Sequence, residues 1–262
     1  MSCVLAAIDL GPSSARVLRH AAGFARLWSL PLRVLHVSAD PAAVARERVL
    51  DFCRLEGPYE VDLANEEDVI LRAGLVSESI HREAVKQGAR LVVMGTRHHG
   101  GLAKWLLGST GEAVLRSAPA PVLIVPPTDL DIVNITDRAT LTCGPVLAAI
   151  DLAEHNSEQL RVAGDLAGLA GQPLLLMTVS PRAIDDHAAA EMLRERAHGG
   201  SAVKPRAMIV RRGNIAEEIS RCAVAEQSGL VVMGLRSRHR PGAIASAVLN
   251  TNRAFVLAVP SA

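Results

Sequence analysis

The stretch LVVMGTRHHGGLAKWLLGSTGEAVL occupies residues 91–115. Its first four residues form an apolar run typical of a buried strand, and from Gly108 onward the pattern is that of a helix. Glycines in the loop between them would let an anion approach the backbone, and a helix start offers unpaired N–H groups. The order of strand, glycine-rich loop and helix indicates a phosphate site, although ordinary loops between a strand and a helix have the same order. Ser109 and Thr110 are expected either to cap the helix or to bond the same phosphate.

The chain contains one pattern twice. The sequence VLAAIDL occurs at residues 4–10 and again at 146–152. Two further blocks of the first half recur in the second, 70–95 at 209–234 and 113–126 at 247–260. Such a repeat indicates two homologous halves. We assign residues 1–127 to the first domain, 145–262 to the second and 128–144 to a linker.

Apolar runs alternate with helical patterns along each half. In the first half the predicted strands are 4–8, 32–37, 69–71, 90–94 and 122–125. The predicted helices are 14–28, 41–55, 75–87 and 108–117. Continuous apolar strands separated by helices indicate a parallel sheet covered on both faces. The sequence therefore predicts an α/β protein of two tandem, doubly wound, five-stranded parallel-sheet domains, related by a pseudo-twofold axis.

The ends of the predicted strands indicate where a ligand would bind. In doubly wound sheets the ligand crevice lies beyond the carboxyl ends of the strands, near the point where the strand order reverses. Asp9, Val37 and Gly95 all stand at such ends. Three residues that are distant in sequence are thus expected to meet at one edge of the sheet.

Composition narrows the class of protein. The 262 residues are 49% hydrophobic but only 2% aromatic, so small aliphatic residues must fill the core. The net charge of +1 gives no general attraction for nucleic acid or membrane. We find no signal peptide and no apolar run long enough to span a bilayer. Four cysteines without a Cys-x-x-Cys pair are typical of a reducing compartment, so we expect a cytoplasmic protein.

Several of these motifs together resemble the universal stress protein family. They are a first strand ending at Ile8-Asp9, a second ending at His36-Val37, the run 91–95, the loop to Gly108-Ser109, and a last strand at 120–125. The resemblance covers both halves. It implies two domains of the adenine-nucleotide-hydrolase-like fold and an adenine nucleotide, ATP or AMP with or without Mg²⁺, bound in the first.

The resemblance also implies the ligand contacts. Asp9 matches the aspartate on the ribose side, and Val37 matches the residue whose backbone meets adenine. The full set of implied contacts is Ala7, Ile8, Asp9, Val37, Met94, Gly95, His98, Gly108, Ser109 and Thr110. The residues alone leave a second interpretation of Asp9 open, a cap for the helix that begins near Ser13.

Two departures from the family pattern bear on ligand binding. His98 stands where the family's phosphate loop has its middle glycine. In the second half, the loop after Gly234 is five residues shorter, and Ala243 replaces the hydroxyl residue. We therefore expect the second site to be degenerate. A metal site at His98-His99 is not expected, because no further ligand stands at a suitable spacing.

The predicted function is a stress-response regulator that acts by binding an adenine nucleotide and a protein partner that the sequence does not identify. No nucleotide-hydrolase motif or nucleophile elbow is present, so we expect at most a weak ATPase. A nucleotide-free dimeric scaffold and a weak hydrolase are the alternatives. The last strands, 122–125 and 256–259, are expected to pair as an intramolecular pseudo-dimer, with or without a further homodimer.

Overall fold

The computed structural model describes residues 2–56, 68–96, 107–126, 128, 130–135, 139–154, 157–200, 203–235, 241–252 and 254–260. These residues divide into two compact units. Unit 1 contains the described residues up to Thr140, and unit 2 contains those from Leu141 onward.

Unit 1 is a doubly wound α/β unit. Its strands are β1 (Cys3–Ile8), β2 (Leu32–Val37), β3 (Val69–Arg72), β4 (Ala89–Gly95) and β5 (Val122–Val125). Its helices are α1 (Ser14–Leu27), α2 (Ala42–Leu55), α3 (Val76–Lys86) and α4 (Gly108–Ser117). The strand order is β5-β4-β1-β2-β3, and every neighbouring pair in it is parallel. The prediction of a doubly wound parallel sheet is confirmed.

The central position of β1 follows from its composition. Small and β-branched apolar residues let helices pack closely on both faces of the sheet. Val4, Leu5 and Ala6 are completely buried. The same residues pair on one side with β2 and on the other with β4, so that Val4 is in register with both Leu32 and Leu91.

Two short strands follow β5, β6 (Val133–Asn134) and β7 (Thr140–Leu141). They lie within the segment that the sequence assigned to the linker. Ile132, Val133 and Ile135 are buried, because apolar residues in this stretch pack on unit 1. The first part of the expected linker is therefore an ordered portion of unit 1.

Unit 2 repeats the arrangement. Its strands are β8 (Val146–Ala149), β9 (Leu174–Val179), β10 (Ala207–Arg211), β11 (Leu230–Gly234) and β12 (Phe255–Val259). Its helices are α5 (Ser157–Ala170), α6 (Asp186–Gly200), α7 (Ile215–Ala225) and α8 (Pro241–Asn252). The order β10-β9-β8-β11-β12 is again parallel throughout. The pseudo-twofold relation and the pairing of the last strands stay predictions.

Candidate functional site

The structure brings most of the predicted site residues to one edge of unit 1. β1, β2 and β4 end at Ile8, Val37 and Gly95, and parallel strands end at the same edge of a sheet. The strand order reverses between β1 and β4, which makes this the switch point where ligands bind in such sheets. Ala7 and Met94 are in register across that point.

Asp9 follows β1 and organises the turn into α1. Its Oδ1 accepts hydrogen bonds from the Gly11 N–H at 2.9 Å and from the Ser14 hydroxyl at 3.1 Å. Among the described residues, none bonds its second oxygen, Oδ2. Leu10 has a φ of 61°, a left-handed conformation that costs about 1–3 kcal/mol and is frequent at functional sites. The carboxylate is therefore exposed and held in one orientation.

The predicted alternative role for Asp9, a helix cap, needs a correction. α1 begins at Ser14, and no side-chain oxygen caps it at Ser13. Asp9 instead bonds an N–H in the preceding turn and a hydroxyl of the first helical residue. The physical reason is distance along the chain, since Asp9 stands five residues before Ser14 and closes an Asx-type turn over Gly11.

Gly95, at the end of β4, lies against the start of α1. An added Cβ there would be 2.6 Å from the Ser13 Oγ and 3.3 Å from a Val17 methyl group. Only a residue without a side chain fits this approach. The contact brings the backbone at the end of β4 close to the turn that contains Asp9.

The next residue, Thr96, was not singled out from the sequence. It is 5% exposed, and its hydroxyl has no hydrogen-bond partner within the described part of the chain. Burying a hydroxyl without a hydrogen-bond partner costs free energy. Packing alone therefore does not explain why a threonine stands at this position. Its counterpart in the second half is the apolar Leu235. A polar residue directly after a strand-ending glycine was the signal available in the sequence.

His36 fixes the neighbouring strand end. Its ring is buried, and its Nδ1 lies 3.0 Å from the Ile8 carbonyl oxygen. Because a carbonyl only accepts, Nδ1 carries the proton in this bond. The bond ties the last residue of β1 to β2, one residue before Val37. The two strand ends that carry Asp9 and Val37 are thus held together.

α4 presents its N-terminus at the same edge, because it connects β4 to the parallel strand β5. Gly108 has a φ of +68°, and an added Cβ would meet no atom within 4 Å. No side chain caps the helix at Leu107, so Ser109 and Thr110 lie in the first turn and do not act as caps. Their predicted capping role is wrong, because the helix begins one residue before Ser109.

The remaining predicted contact, His98, lies outside the described residues, as do Arg97 and His99. Within the described residues, no group of three or more His, Cys, Asp or Glu side chains is placed to hold a metal ion. None of the helices in those residues has the length and apolar character needed to span a bilayer.

The same edge of unit 2 differs from that of unit 1. Asp151 keeps the turn, since its Oδ1 accepts the Ala153 N–H at 3.0 Å. At the position of Val17, however, stands the buried Gln159. Its Nε2 donates to the Ala149 carbonyl at 2.8 Å and to the Val232 carbonyl at 3.1 Å. A side-chain amide thus joins β8 to β11 at the second switch point.

Comparison with known proteins identifies the family. The model of the universal stress protein family matches residues 1–126. Universal stress protein A homolog 1 of Coxiella burnetii is 32% identical over 142 residues, which cover 47% of this chain and 94% of that protein. The chain belongs to the universal stress protein family.

Other universal stress proteins match shorter parts or are more distant. One from Thermus aquaticus is 42% identical over 59 residues, which are 22% of this chain and 43% of that protein. One from Mycolicibacterium smegmatis is 26% identical over 192 residues, covering 67% of this chain and 63% of that protein. The chain thus spans less than two thirds of either relative.

Two solved structures share the fold over nearly the whole chain. A functionally unknown protein from Pseudomonas aeruginosa has a TM-score of 0.66 at 23% identity, covering 99% of this chain and 92% of its own. A universal stress protein from Archaeoglobus fulgidus has a TM-score of 0.66 at 17% identity, covering 98% and 96%. At this level of identity the likeness establishes the fold alone.

Proposed function

We propose that this universal stress protein is a cytoplasmic stress-response regulator that binds one adenine nucleotide in unit 1 and acts by binding. The observation that carries the proposal is the arrangement around Asp9. Its carboxylate is fixed by Gly11 and Ser14 at the switch point, where Gly95 brings the end of β4 close to the same turn. A fixed, exposed carboxylate next to a glycine suits the ribose of a nucleotide, with the phosphates bound nearby.

The sugar and base have distinct partners. An ionised carboxylate accepts hydrogen bonds only, so Asp9 Oδ2 suits the two hydroxyls of a ribose. At the end of β2, the Ser38 N–H is already bonded to the Arg72 carbonyl at 2.9 Å. We assign the base to the Val37 carbonyl, which accepts from the exocyclic amine of adenine. Guanine presents a carbonyl at the same ring position, which supplies no donor.

The phosphates would lie at the N-terminus of α4. Its unpaired N–H groups and dipole favour an anion, and Ser109 and Thr110, which lie in the first turn, would donate from their hydroxyls. This assignment suits AMP as well as ATP, with or without Mg²⁺. His98 belongs to the same proposed contact set through the family motif.

Binding without efficient catalysis is favoured by the state of Asp9. Its Oδ1 already accepts two hydrogen bonds, which hold the carboxylate in the turn, and its Oδ2 is the oxygen that we assign to the ribose hydroxyls. A general base must instead reach the proton of an attacking water in a productive pose. A weak nucleotide hydrolase therefore remains the lesser alternative. Gln159 favours a scaffold role for unit 2, because its amide occupies the backbone acceptors at that switch point.

A thermal-shift panel tests the proposal. Purified protein would be heated with ATP, ADP, AMP or GTP, and mass spectrometry would identify any nucleotide retained through purification. A ligand at one hundred times its dissociation constant stabilises the folded state by about 2.7 kcal/mol. We expect the adenine nucleotides to raise the melting temperature and GTP to have little effect. If no adenine nucleotide raises the melting temperature and none is retained through purification, nucleotide binding is contradicted. The nucleotide-free scaffold would then be the better interpretation.

A further inference from the structure

The chain that leaves β5 runs along the outer face of α1. We call residues 130–135 the strap. At its start, the Arg16 guanidinium donates to the Leu130 carbonyl, and at its end the Arg26 guanidinium donates to the Ile135 carbonyl at 2.9 Å. The side chains of Ile132, Val133 and Ile135 are buried, whereas that of Leu130 is exposed. The strap is thus attached at both ends to one helix.

Shape complementarity holds the middle of the strap. Gly23 faces Val133, and an added Cβ at Gly23 would lie 2.8 Å from the Val133 Cβ. Any side chain at Gly23 would therefore push the strap away from α1. The surface of α1 at Gly23 is therefore complementary in shape to the strap at Val133.

A buried histidine links the strap to the helix between these points. His20 is 0% exposed. Its Nδ1 donates to the Arg16 carbonyl at 2.8 Å, so the neutral ring has its lone pair on Nε2. That nitrogen lies 3.4 Å from the Ile132 backbone nitrogen, whose N–H donates to it. The hydrogen bond to the strap therefore requires the neutral form of the ring.

Burial opposes a proton on the His20 ring, and the charges around the ring act in both directions, Asp131 for the proton and the two arginines against it. Asp131 of the strap lies 3.7 Å from Nε2, but it also lies 3.4 Å from Arg16 and 3.2 Å from Arg19. These are the charged groups that face the ring from α1 and from the strap. Protonation would place a third cation around one carboxylate. It would also set an N–H of the ring against the N–H of Ile132.

We propose that the strap is an acid-sensitive attachment, which separates from α1 when His20 takes up a proton. This inference concerns the strap alone and does not depend on nucleotide binding. It gives unit 1 a structural response to acid at the segment that leads toward the second half of the chain.

The direction of the effect follows from linkage. Burial lowers the pKa of His20 from 6.5 to about 4, with smaller opposing contributions from the Arg16 carbonyl and Asp131. A histidine with a lowered pKa in the docked state stabilises docking fully above pH 6.5, and this stabilisation is lost as the pH falls toward 4. With these two pKa values the docking equilibrium changes about fortyfold between pH 6.5 and 4.5, because half of the undocked rings are already protonated at pH 6.5.

The second half of the chain lacks this device. The residues at the positions of His20, Gly23 and Arg26 are Val162, Asp165 and Gly168. On α5, Arg161 pairs within its own helix, with Glu158 at 2.6 Å and with Asp165 at 2.7 Å. The strap-binding face is therefore a property of α1 and not of the repeated fold.

Amide hydrogen exchange measured by NMR on the full chain tests the proposal. Protection factors of the Ile132 amide would be followed from pH 7 to 4.5 in the wild type, in His20→Gln, and in His198→Gln. His198 is a suitable control, since it makes the same bond to a carbonyl four residues earlier, Arg194 at 2.7 Å, on an exposed face. Glutamine at position 20 does not titrate but retains an oxygen that can accept the Ile132 N–H.

We expect Ile132 protection in the wild type and in His198→Gln to fall about fortyfold between pH 6.5 and 4.5, while the Val93 amide in β4 stays protected. In His20→Gln the protection of the Ile132 amide should not change with pH. Constant wild-type protection, or the same fall in His20→Gln, would overturn the proposal. If Ile132 is already unprotected at pH 7 in the glutamine variant, that variant cannot test the proposal. The titration of the His20 ring in the wild type then serves as the test. Its midpoint must coincide with the loss of Ile132 protection, and separate midpoints would also overturn the proposal.

Discussion

Gly95 and Ser13 are so close that a Cβ added to the glycine would lie 2.6 Å from the serine hydroxyl oxygen. This contact joins the end of β4 to the turn after β1, across the switch point of the sheet. Two backbone segments that are about eighty residues apart in sequence therefore meet where we place the ribose and phosphates. The spacing between them depends on the absence of a side chain at Gly95.

Gly95→Ala should lower the free energy of unfolding by about 1–3 kcal/mol, because the added methyl group overpacks this contact. It should also weaken adenine-nucleotide binding. The control is Gly234→Ala in unit 2, where the nearest atom, the Gln159 Oε1, is 3.2 Å away and the added methyl group is less crowded. Urea denaturation and titration calorimetry measure the two effects. Equal losses in both variants would contradict the special role of the Gly95 contact.

Asp9→Asn should weaken nucleotide binding about ten- to a hundredfold, since a hydrogen bond to a charged group contributes about 1.5–3 kcal/mol. Stability should change little, because the asparagine oxygen can still accept the Gly11 N–H. Asp151→Asn is the matched change in unit 2 and should leave affinity unaltered. Calorimetric dissociation constants check this prediction. It fails if the Asp151 variant loses as much affinity as the Asp9 variant.

Gly108 should tolerate asparagine better than valine. At a φ of +68°, asparagine is among the residues that adopt this conformation, whereas a β-branched residue is strained. Gly108→Val should therefore abolish measurable nucleotide binding and cost about 1–2 kcal/mol of stability, while Gly108→Asn should retain part of both. Gly242→Val tests the corresponding position of unit 2 and should not affect binding. Identical behaviour of the two Gly108 variants would show that backbone conformation does not limit this position.

Much of the fold could be predicted because its signals are local. The predicted strands 32–37 and 122–125 agree with the observed bounds, since each is one apolar run between turn residues. The left-handed backbone at Gly108 is likewise consistent with a glycine at the helix start. These features depend on neighbouring residues alone.

Features that depend on distant contacts could not be predicted. The bond between His20 and Ile132 joins residues 112 positions apart, and nothing in the sequence near His20 indicates a partner. The segment was therefore assigned to a linker. The bridge from Gln159 to β8 and β11 was missed for the same reason, because a single glutamine in a helical pattern is normally solvent-exposed.

The thiols of Cys53, which is half-buried, and Cys143, which is buried, should react slowly in the folded protein. Burial raises the pKa of both Cys53 and Cys143 to about 11, so the reactive thiolate becomes abundant only as the pH approaches that value. Native-state alkylation with iodoacetamide at pH 8, followed by mass spectrometry, should show rates roughly a hundredfold below those in urea. The rates should rise with pH. Rapid modification of Cys143 at pH 8 in the folded state would contradict its buried position.

The number of nucleotides bound per chain tests the central claim most directly. Titration calorimetry of the wild-type chain with ATP and with AMP gives this stoichiometry, and repetition with Asp9→Asn assigns the site. We predict one site per chain, lost or strongly weakened in Asp9→Asn and retained in Asp151→Asn. Two equal sites, or a single site lost only through the Asp151 change, would contradict the assignment of the nucleotide to unit 1.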